Sequence, residues 1–364
     1  MKICFAVSGT HFYLQQGGAE LQAYLLYKYL LKKGHEIYYI YNRNSKSDVI
    51  YIDHGVNFLS VEKPFNSINF LNRNKLNRLL SKLDVDIYYQ RGLRYLNLIQ
   101  SIAKKHNKKF ILGISMESQC YKKCPQINRM FGVNLINNYL NQLCIRNADL
   151  IISQTNVQKE LLGQHFGCNS IVIPSGHPIP LPPFEKSDPP IIAWIANIKQ
   201  WKQPEIFIKL AQQCCDLNVK FIYAGRSSTT NYQQMLIAKT KKLSNLSYYG
   251  ELPVQKTNEL LAKSALFVNT SVTHEGFPNT YIQAWLRETP VVALNFDPDN
   301  LIKSHEMGLH SGNFDQMVKD IRYLINNKNV RKQMGRNARK YALENHDIEK
   351  IGEKYLGLFQ SLIH

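Results

Sequence analysis

The sequence contains no uninterrupted apolar run approaching the roughly 18 residues that a membrane-spanning helix requires, so no transmembrane segment is expected. Its start, Met1-Lys-Ile-Cys-Phe-Ala-Val-Ser, reads directly into a buried strand and lacks the layout of a secretory leader. The chain is therefore expected in the cytoplasm. Cysteine is sparse and unpatterned: there are seven, an odd number, which suits a reducing compartment. Cys120 and Cys124 form a C-x3-C pair and Cys214 and Cys215 are adjacent, but a zinc site would need two further ligands at matching spacing. Incidental or buried thiols are expected, and no metal.

Acidic residues are also scarce, with 27 Asp and Glu against 45 Lys and Arg, a formal charge of +18. The excess is uneven. Residues 1–180 carry 22 basic against 10 acidic side chains, residues 181–364 carry 23 against 17, and residues 61–109 alone carry 11 against 3. A basic first half suits an anionic partner such as a lipid headgroup, a pyrophosphate-linked acceptor or nucleic acid. The alternative is a surface charged only for solubility.

At 364 residues the chain is long for one core and typical of two domains, and an apolar content of 44% excludes wholesale disorder. Seven of the 14 prolines fall between Pro174 and Pro190, which predicts a stiff extended linker at a domain boundary. Before it, strands are predicted near residues 3–7, 35–41, 56–61, 87–90, 110–114, 150–153 and 171–173. They alternate with helices near 19–33, 76–83, 96–105, 127–146 and 157–166. The loop after the first strand carries Gly9, Gly17 and Gly18. This is the pattern of a doubly wound α/β domain, whose ligands bind beyond the carboxyl ends of the strands. The alternation restarts with strand 191–195, helix 205–214, strand 219–224 and strand 246–249, and it closes with helices near 315–326, 331–344 and 348–363. In the last of these, Ile351, Tyr355, Leu358 and Leu362 form an apolar stripe.

The densest stretch is residues 267–293, which reads as strand, loop, helix, turn and strand. Gly276 and Pro278 punctuate the loop, and a helix of about ten residues should start near Pro278 or Asn279, with Asn279 or Thr280 as cap. Its N-terminal N–H groups would face an anionic ligand. Glu275 lies just before those donors and Gln283 two turns up the helix, so a carboxylate and an amide could bracket one ligand. Equally, Glu275 could be a helix-dipole acid and Gln283 a solvated helix residue.

These residues resemble the signature of retaining GT-B glycosyltransferases of the glycosyltransferase family 4 type. There a Glu, seven intervening residues and a second Glu hold the donor, the first binding sugar hydroxyls and the second the ribose. Here the first is Glu275, while Gln283 stands in the second place and keeps an acceptor carbonyl without the charge. The run Glu275-Gly276-Phe277-Pro278-Asn279-Thr280 and the later Thr289-Pro-Val-Val match as well. Asn197 to Pro204 resembles the family's diphosphate-gripping turn. Lys202 matches its Lys and Asn197 replaces its Arg, with Lys199 or Arg226 available as a second cation. Gly17-Gly18 resembles the glycine loop near the donor phosphates, and Leu252 matches the loop lying against the nucleotide base. After the strand near 110–114, Met116 falls where the family often has a His. Glu117 beside it could meet an acceptor hydroxyl or cap the loop.

The resemblance implies two Rossmann-like doubly wound domains facing across a cleft. Residues 1–180 would form the acceptor-side domain and 181–345 the nucleotide-sugar domain, with helix 346–364 packing back on the first. It further implies metal-independent, retaining transfer of a hexose-type sugar from a nucleoside diphosphate sugar, with uridine diphosphate the expected carrier. The acceptor would be a glycan or lipid-linked hydroxyl in cell-surface polysaccharide or glycolipid synthesis. Glu275 and Lys202 would be catalytic. An anionic membrane face is a further expected partner and nucleic acid is not. Two alternatives stay open: a GT-B epimerase acting on a nucleotide sugar, and a binding protein whose cleft is vestigial, given the departures at Met116, Asn197 and Gln283.

Overall fold

A computed structural model of the chain describes residues 1–7, 17–43, 55–62, 70–95, 97–122, 131–227, 229–272 and 275–363. Gly9, Leu96, Cys124, residues 127–130 of the expected long helix, and Thr273 and His274 lie outside them. The chain divides into two units, Met1–Gly176 with Ile348–His364, and His177–Asp347. The first break falls four residues before the expected 180, inside the proline-rich stretch, and the second just before the last helix.

Unit 1 is a parallel sheet. Its strands are β1 (Lys2–Val7), β2 (Glu36–Arg43), β3 (Val56–Glu62), β4 (Ile87–Arg91), β5 (Lys109–Gly113), β6 (Leu150–Ser153) and β7 (Ile171–Val172). They lie in the order β3-β2-β1-β4-β5-β6-β7. Between them run helices α1 (Gly18–Lys32), α2 (Phe70–Leu80), α3 (Leu98–Lys105), α4 (Phe131–Arg146) and α5 (Asn156–Phe166). Because both faces are covered, β1 is apolar and buried from Ile3 to Val7, and its period of two decides only which side each residue serves. Cys4 and Ala6 join Tyr88, Phe110, Leu112, Ile145 and Phe166 on one face. Ile3, Phe5 and Val7 join Tyr39, Tyr89 and Tyr27 of α1 on the other.

The last helix, α13 (Ile348–Ile363), completes that second face with Ile351, Tyr355 and Phe359, a strict four-residue spacing. The expected stripe ran through Leu358 and Leu362. The structure puts Phe359 in the core instead and leaves both leucines half-buried at its edge. Close approach to α1 requires Gly352, where an added Cβ would sit 2.4 Å from the Tyr29 ring. Burying three such side chains contributes about 1.5–3 kcal/mol each. The exposed pairs Lys32–Glu349 (2.9 Å) and Lys33–Glu353 (2.8 Å) add at most about 1 kcal/mol each, so packing holds this helix.

Unit 2 is a second parallel sheet, of β8 (Ile191–Ile195), β9 (Lys220–Ala224), β10 (Leu246–Tyr248), β11 (Ser264–Asn269), β12 (Val291–Ala293) and β13 (Gly308–His310). Their order is β10-β9-β8-β11-β12-β13. Its helices are α6 (Pro204–Gln213), α7 (Thr230–Thr240), α8 (Val254–Lys263), α9 (Asn279–Trp285), α10 (Leu301–Ser304), α11 (Phe314–Asn326) and α12 (Lys328–Asn345). One face packs Ala193, Phe267 and Val291 beneath α8, α9 and α12, and the other packs Trp194, Phe221 and Val268 beneath α6, α7 and α11. The sequence pattern predicts none of α7, α8, α10 and β13, which are short or weakly patterned. Among the described residues no helix is long and apolar enough to cross a membrane.

Candidate functional site

In unit 2 the strand order reverses between β8 and β11, and in a doubly wound sheet the ligand crevice opens at the carboxyl ends of the two strands flanking that reversal. The loop leaving β8 carries Lys202 and the loop leaving β11 carries Glu275. Their convergence is built by hydrogen bonds. Val272 N–H donates to Trp201 O at 3.0 Å, joining the two loops, and Ile198 N–H donates to Arg226 O at 2.8 Å, tying the first to the segment after β9. Thr270, fully buried at the end of β11, accepts from Trp194 Nε1 at 2.9 Å, and its hydroxyl lies 2.7 Å from Lys202 O and 2.9 Å from Gln203 O. One threonine thus latches the first loop to the second. Gln203 takes the left-handed φ of 49° just before Pro204 starts α6, where the ring disfavours the right-handed helical region.

The Lys202 ammonium donates to Glu275 Oε1, and the two side chains are 16% and 2% exposed. The same ammonium lies 4.4 Å from the Trp201 ring centroid, within cation–π range. Burial holds Lys202 below the ordinary lysine range, against the opposing pull of the Glu275 carboxylate; Lys199 lowers it further. A buried cation and a buried anion therefore satisfy each other at the mouth of the crevice, each suited to take a ligand group of opposite polarity.

The other expected residues fall into distinct settings. Asn197 is exposed on the Lys202 loop. Arg226 is exposed and faces Glu251 at 3.6 Å. Gly225, before it, has φ 150° and an added Cβ would lie 1.8 Å from Ala196 O, so only glycine lets these two loops approach. Leu252 is half-buried against the core. Gly276 is half-buried, and Phe277 is buried with its ring 6.0 Å from Trp285 at 77°.

Helix α9 has seven residues rather than about ten, and Pro278 occupies its cap position with no side-chain cap bond. The expected cap, Asn279, instead bonds His177 Nε2 through Oδ1 at 2.9 Å, and Thr280 is half-buried. Gln283 is buried, not solvated, and its Nε2 donates to Asn258 Oδ1 of α8 at 3.0 Å. Among the described residues neither Gln283 nor Arg226 is hydrogen-bonded or ion-paired to Lys202 or Glu275. The structure brings the expected catalytic pair into contact and anchors the others separately.

In unit 1, Gly17 is the extended residue that begins α1, accepting from Leu21 N–H at 2.9 Å, and Gly18 is the first helical residue. Glu117 stands in a short 3₁₀ turn and accepts from the Tyr121 hydroxyl at 3.2 Å. The cap of that loop is Gln119, whose Oε1 accepts from Ser115 N–H at 2.9 Å and Met116 N–H at 3.3 Å. Sequence reading missed Thr270, Asn258 and His177. A threonine directly after a buried strand, at the start of the loop, is the available signal for the first. The other two act only through contacts made across the fold.

Two parallel, doubly wound, Rossmann-like units in one chain, with a basic and an acidic side chain meeting at the reversal of one sheet, define the class as a GT-B glycosyltransferase fold. Solved structures agree. Sucrose-phosphate synthase from Thermosynechococcus elongatus superposes with a TM-score of 0.81 at 14% identity, covering 100% of this chain and 99% of that one. Anabaena HepE, solved in complex with UDP and glucose, superposes with a TM-score of 0.74 at 17% identity, covering 99% and 100%. Residues 16–179 match the family described as Glycosyltransferase Family 4, and residues 182–341 the family described as Glycosyl transferases group 1. The chain belongs to these glycosyltransferases. It is 26% identical over 240 residues to an uncharacterized glycosyltransferase of Haemophilus influenzae, and 27% identical over 177 residues to a poly(ribitol-phosphate) alpha-N-acetylglucosaminyltransferase of Staphylococcus aureus. The first match spans 62% of this chain and 65% of the relative, the second 47% and 35%.

Proposed function

We propose that the chain transfers a hexose-type sugar from a nucleoside diphosphate sugar to a hydroxyl of a glycan or lipid-linked acceptor, with retention at the anomeric carbon. The observation that carries this reading is the buried contact of Lys202 with Glu275 at the carboxyl ends of β8 and β11. Breaking the sugar–phosphate bond puts growing negative charge on the departing diphosphate, and an ammonium already held in a dry crevice offsets it without a metal ion. Glu275 accepts hydrogen bonds from the sugar hydroxyls. Donor binding then exchanges partners, the diphosphate taking Lys202 and the sugar taking Glu275. The acceptor oxygen bonds to the anomeric carbon on the face the phosphate leaves, and the leaving phosphate oxygen takes the acceptor's proton.

With Nε2 engaged by Asn258, Gln283 presents its carbonyl oxygen as the ribose acceptor, and Lys199 or Arg226 adds charge near the diphosphate. Uridine diphosphate as carrier is supported by the HepE complex, and a polymeric hydroxyl acceptor by the Staphylococcus relative, whose name records poly(ribitol-phosphate). The basic excess of residues 1–180 supports contact with an anionic membrane face, which co-sedimentation with anionic but not neutral vesicles at low salt would test.

The deciding experiment is a thermal-shift panel of nucleotide sugars on the full chain. A true donor at 100 times its Kd stabilises by about 2.7 kcal/mol. We expect one nucleoside diphosphate sugar to raise Tm in the native protein and not in Lys202→Met, and to yield a glycosylated acceptor on product analysis. A panel with no shift refutes the reading, and conversion of the donor without an acceptor replaces transfer with epimerisation.

A further inference from the structure

Unit 1 holds a cavity of ≈ 240 Å³ between the segments that follow β4 and β5 and the inner side of α4. In unit 1 the strand order reverses between β1 and β4, and the cavity lies beside that point, at the carboxyl ends of β4 and of its outer neighbour β5. The lining combines three kinds of group. Arg94 and Lys122 supply two cations, and no described lining residue carries a carboxylate. Asn141 supplies an acceptor, its Oδ1 buried and without a hydrogen-bond partner among the described residues. Ile145 and Phe166, both buried, supply an apolar floor.

Each kind selects a different part of a ligand. Two cations with no acid among them favour an anionic group, by attraction at the rim where Arg94 and Lys122 are exposed. A buried carbonyl oxygen left without a donor costs about 1–3 kcal/mol, which a ligand hydroxyl would relieve. The floor suits the C–H face of a polyol or sugar ring. The volume corresponds to about eight waters at about 30 Å³ each, enough for one such unit and not for a long chain.

We propose that this cavity is an acceptor subsite for an anionic polyhydroxyl unit, a sugar or polyol bearing a phosphate or a carboxylate. The assignment of the ligand as acceptor rests on the glycosyl-transfer reading; the binding chemistry does not. Glu117 is not itself a lining residue but holds the hydroxyl of Tyr121, which is, so the ligand contacts proposed here fall to Arg94, Lys122 and Asn141.

Calorimetric titration of the full chain tests this with four probes: a synthetic oligo(glycerol phosphate), an oligogalacturonate, a neutral maltooligosaccharide and inorganic phosphate. The first two distinguish phosphate from carboxylate as the source of charge. We expect at least one of them to bind about tenfold more tightly than the neutral glycan. The exposed-site variant Lys122→Glu should weaken that probe about tenfold, and Asn141→Leu should weaken it while leaving inorganic phosphate binding unchanged. Equal binding of the neutral glycan, full affinity in Lys122→Glu, or no binding of either charged oligomer overturns the proposal. The nucleotide-sugar shift, measured in parallel on the native protein and on Lys122→Glu, reports separately on the donor reading: its absence in the native protein refutes that reading, and its presence in both beside a failed titration refutes only this one.

Discussion

Replacing Glu275 by Gln while leaving Lys202 in place strands an ammonium in a setting built for an ion pair. Deleting one partner of a buried pair costs about 3–5 kcal/mol, because the remaining charge keeps its desolvation penalty and loses its compensation. Lys202 has two partial escapes: 16% of its side chain still reaches solvent, and burial already lowers its pKa, so it can shed the proton. The expected cost at pH 7 is therefore near the lower end, about 3 kcal/mol, survivable within a total stability of about 5–15 kcal/mol.

The pH dependence carries the signature. Without the acid, the folded-state pKa of Lys202 falls further below its unfolded value. In that window the unfolded chain binds more protons, and stability rises with pH. Glu275→Gln should thus recover part of its loss as pH increases toward the ordinary lysine range. The double variant Glu275→Gln/Lys202→Met, which leaves no stranded charge, should fall within about 1 kcal/mol of the native protein. Urea unfolding followed by tryptophan fluorescence reads this cleanly, since Trp194, Trp201 and Trp285, the three tryptophans of the chain, all lie in unit 2. Additive single and double changes, or a pH-independent loss in Glu275→Gln, would refute the account of a mutually compensating pair. For the same reason Glu275→Gln, not Glu275→Ala, is the variant in which lost transfer should be measured.

Thr270→Val keeps shape and removes the hydroxyl shared by Trp194 Nε1 and the carbonyls of Lys202 and Gln203. A loss of about 1–3 kcal/mol is expected in the same unfolding assay, with Thr270→Ser close to native, and donor affinity should fall with the latch. Burial pushes His177 down to about 4, against the hydrogen bond to Asn279. A folded pKa below the unfolded value of about 6.5 gives stability that is complete above pH 6.5 and is lost as pH falls toward 4, up to about 3 kcal/mol. His177→Gln should flatten that acid limb of the unfolding profile, and an unchanged limb would count against it.

Much of the architecture is written locally. Strand 191–195 and helix 348–363 stand where the apolar periodicity placed them, because a buried parallel strand and an amphipathic helix each announce their period within a few residues. Helix α8, which supplies Asn258 to Gln283, is not predicted by the sequence pattern. Its ten residues, Val254–Lys263, bury only Thr257, Leu260 and Leu261, too few for a strong pattern. The same limit applied to Gln119, whose capping of the loop after β5 depends on a backbone turn that no spacing rule singled out over Glu117.

The sequence by itself determined that two apolar-stranded sheets would form, that a proline-rich stretch would separate them, and that Lys202 and Glu275 would each follow a strand. Composition and period fix these, since burial of alternating or continuous apolar faces is a property of neighbouring residues. Only the tertiary structure decided that the two strands lie side by side at the reversal of the sheet, so that groups 73 positions apart in sequence meet in a buried ion pair. That meeting depends on strand order and on the Thr270 latch, long-range hydrogen bonds whose partners carry no mark of one another along the chain.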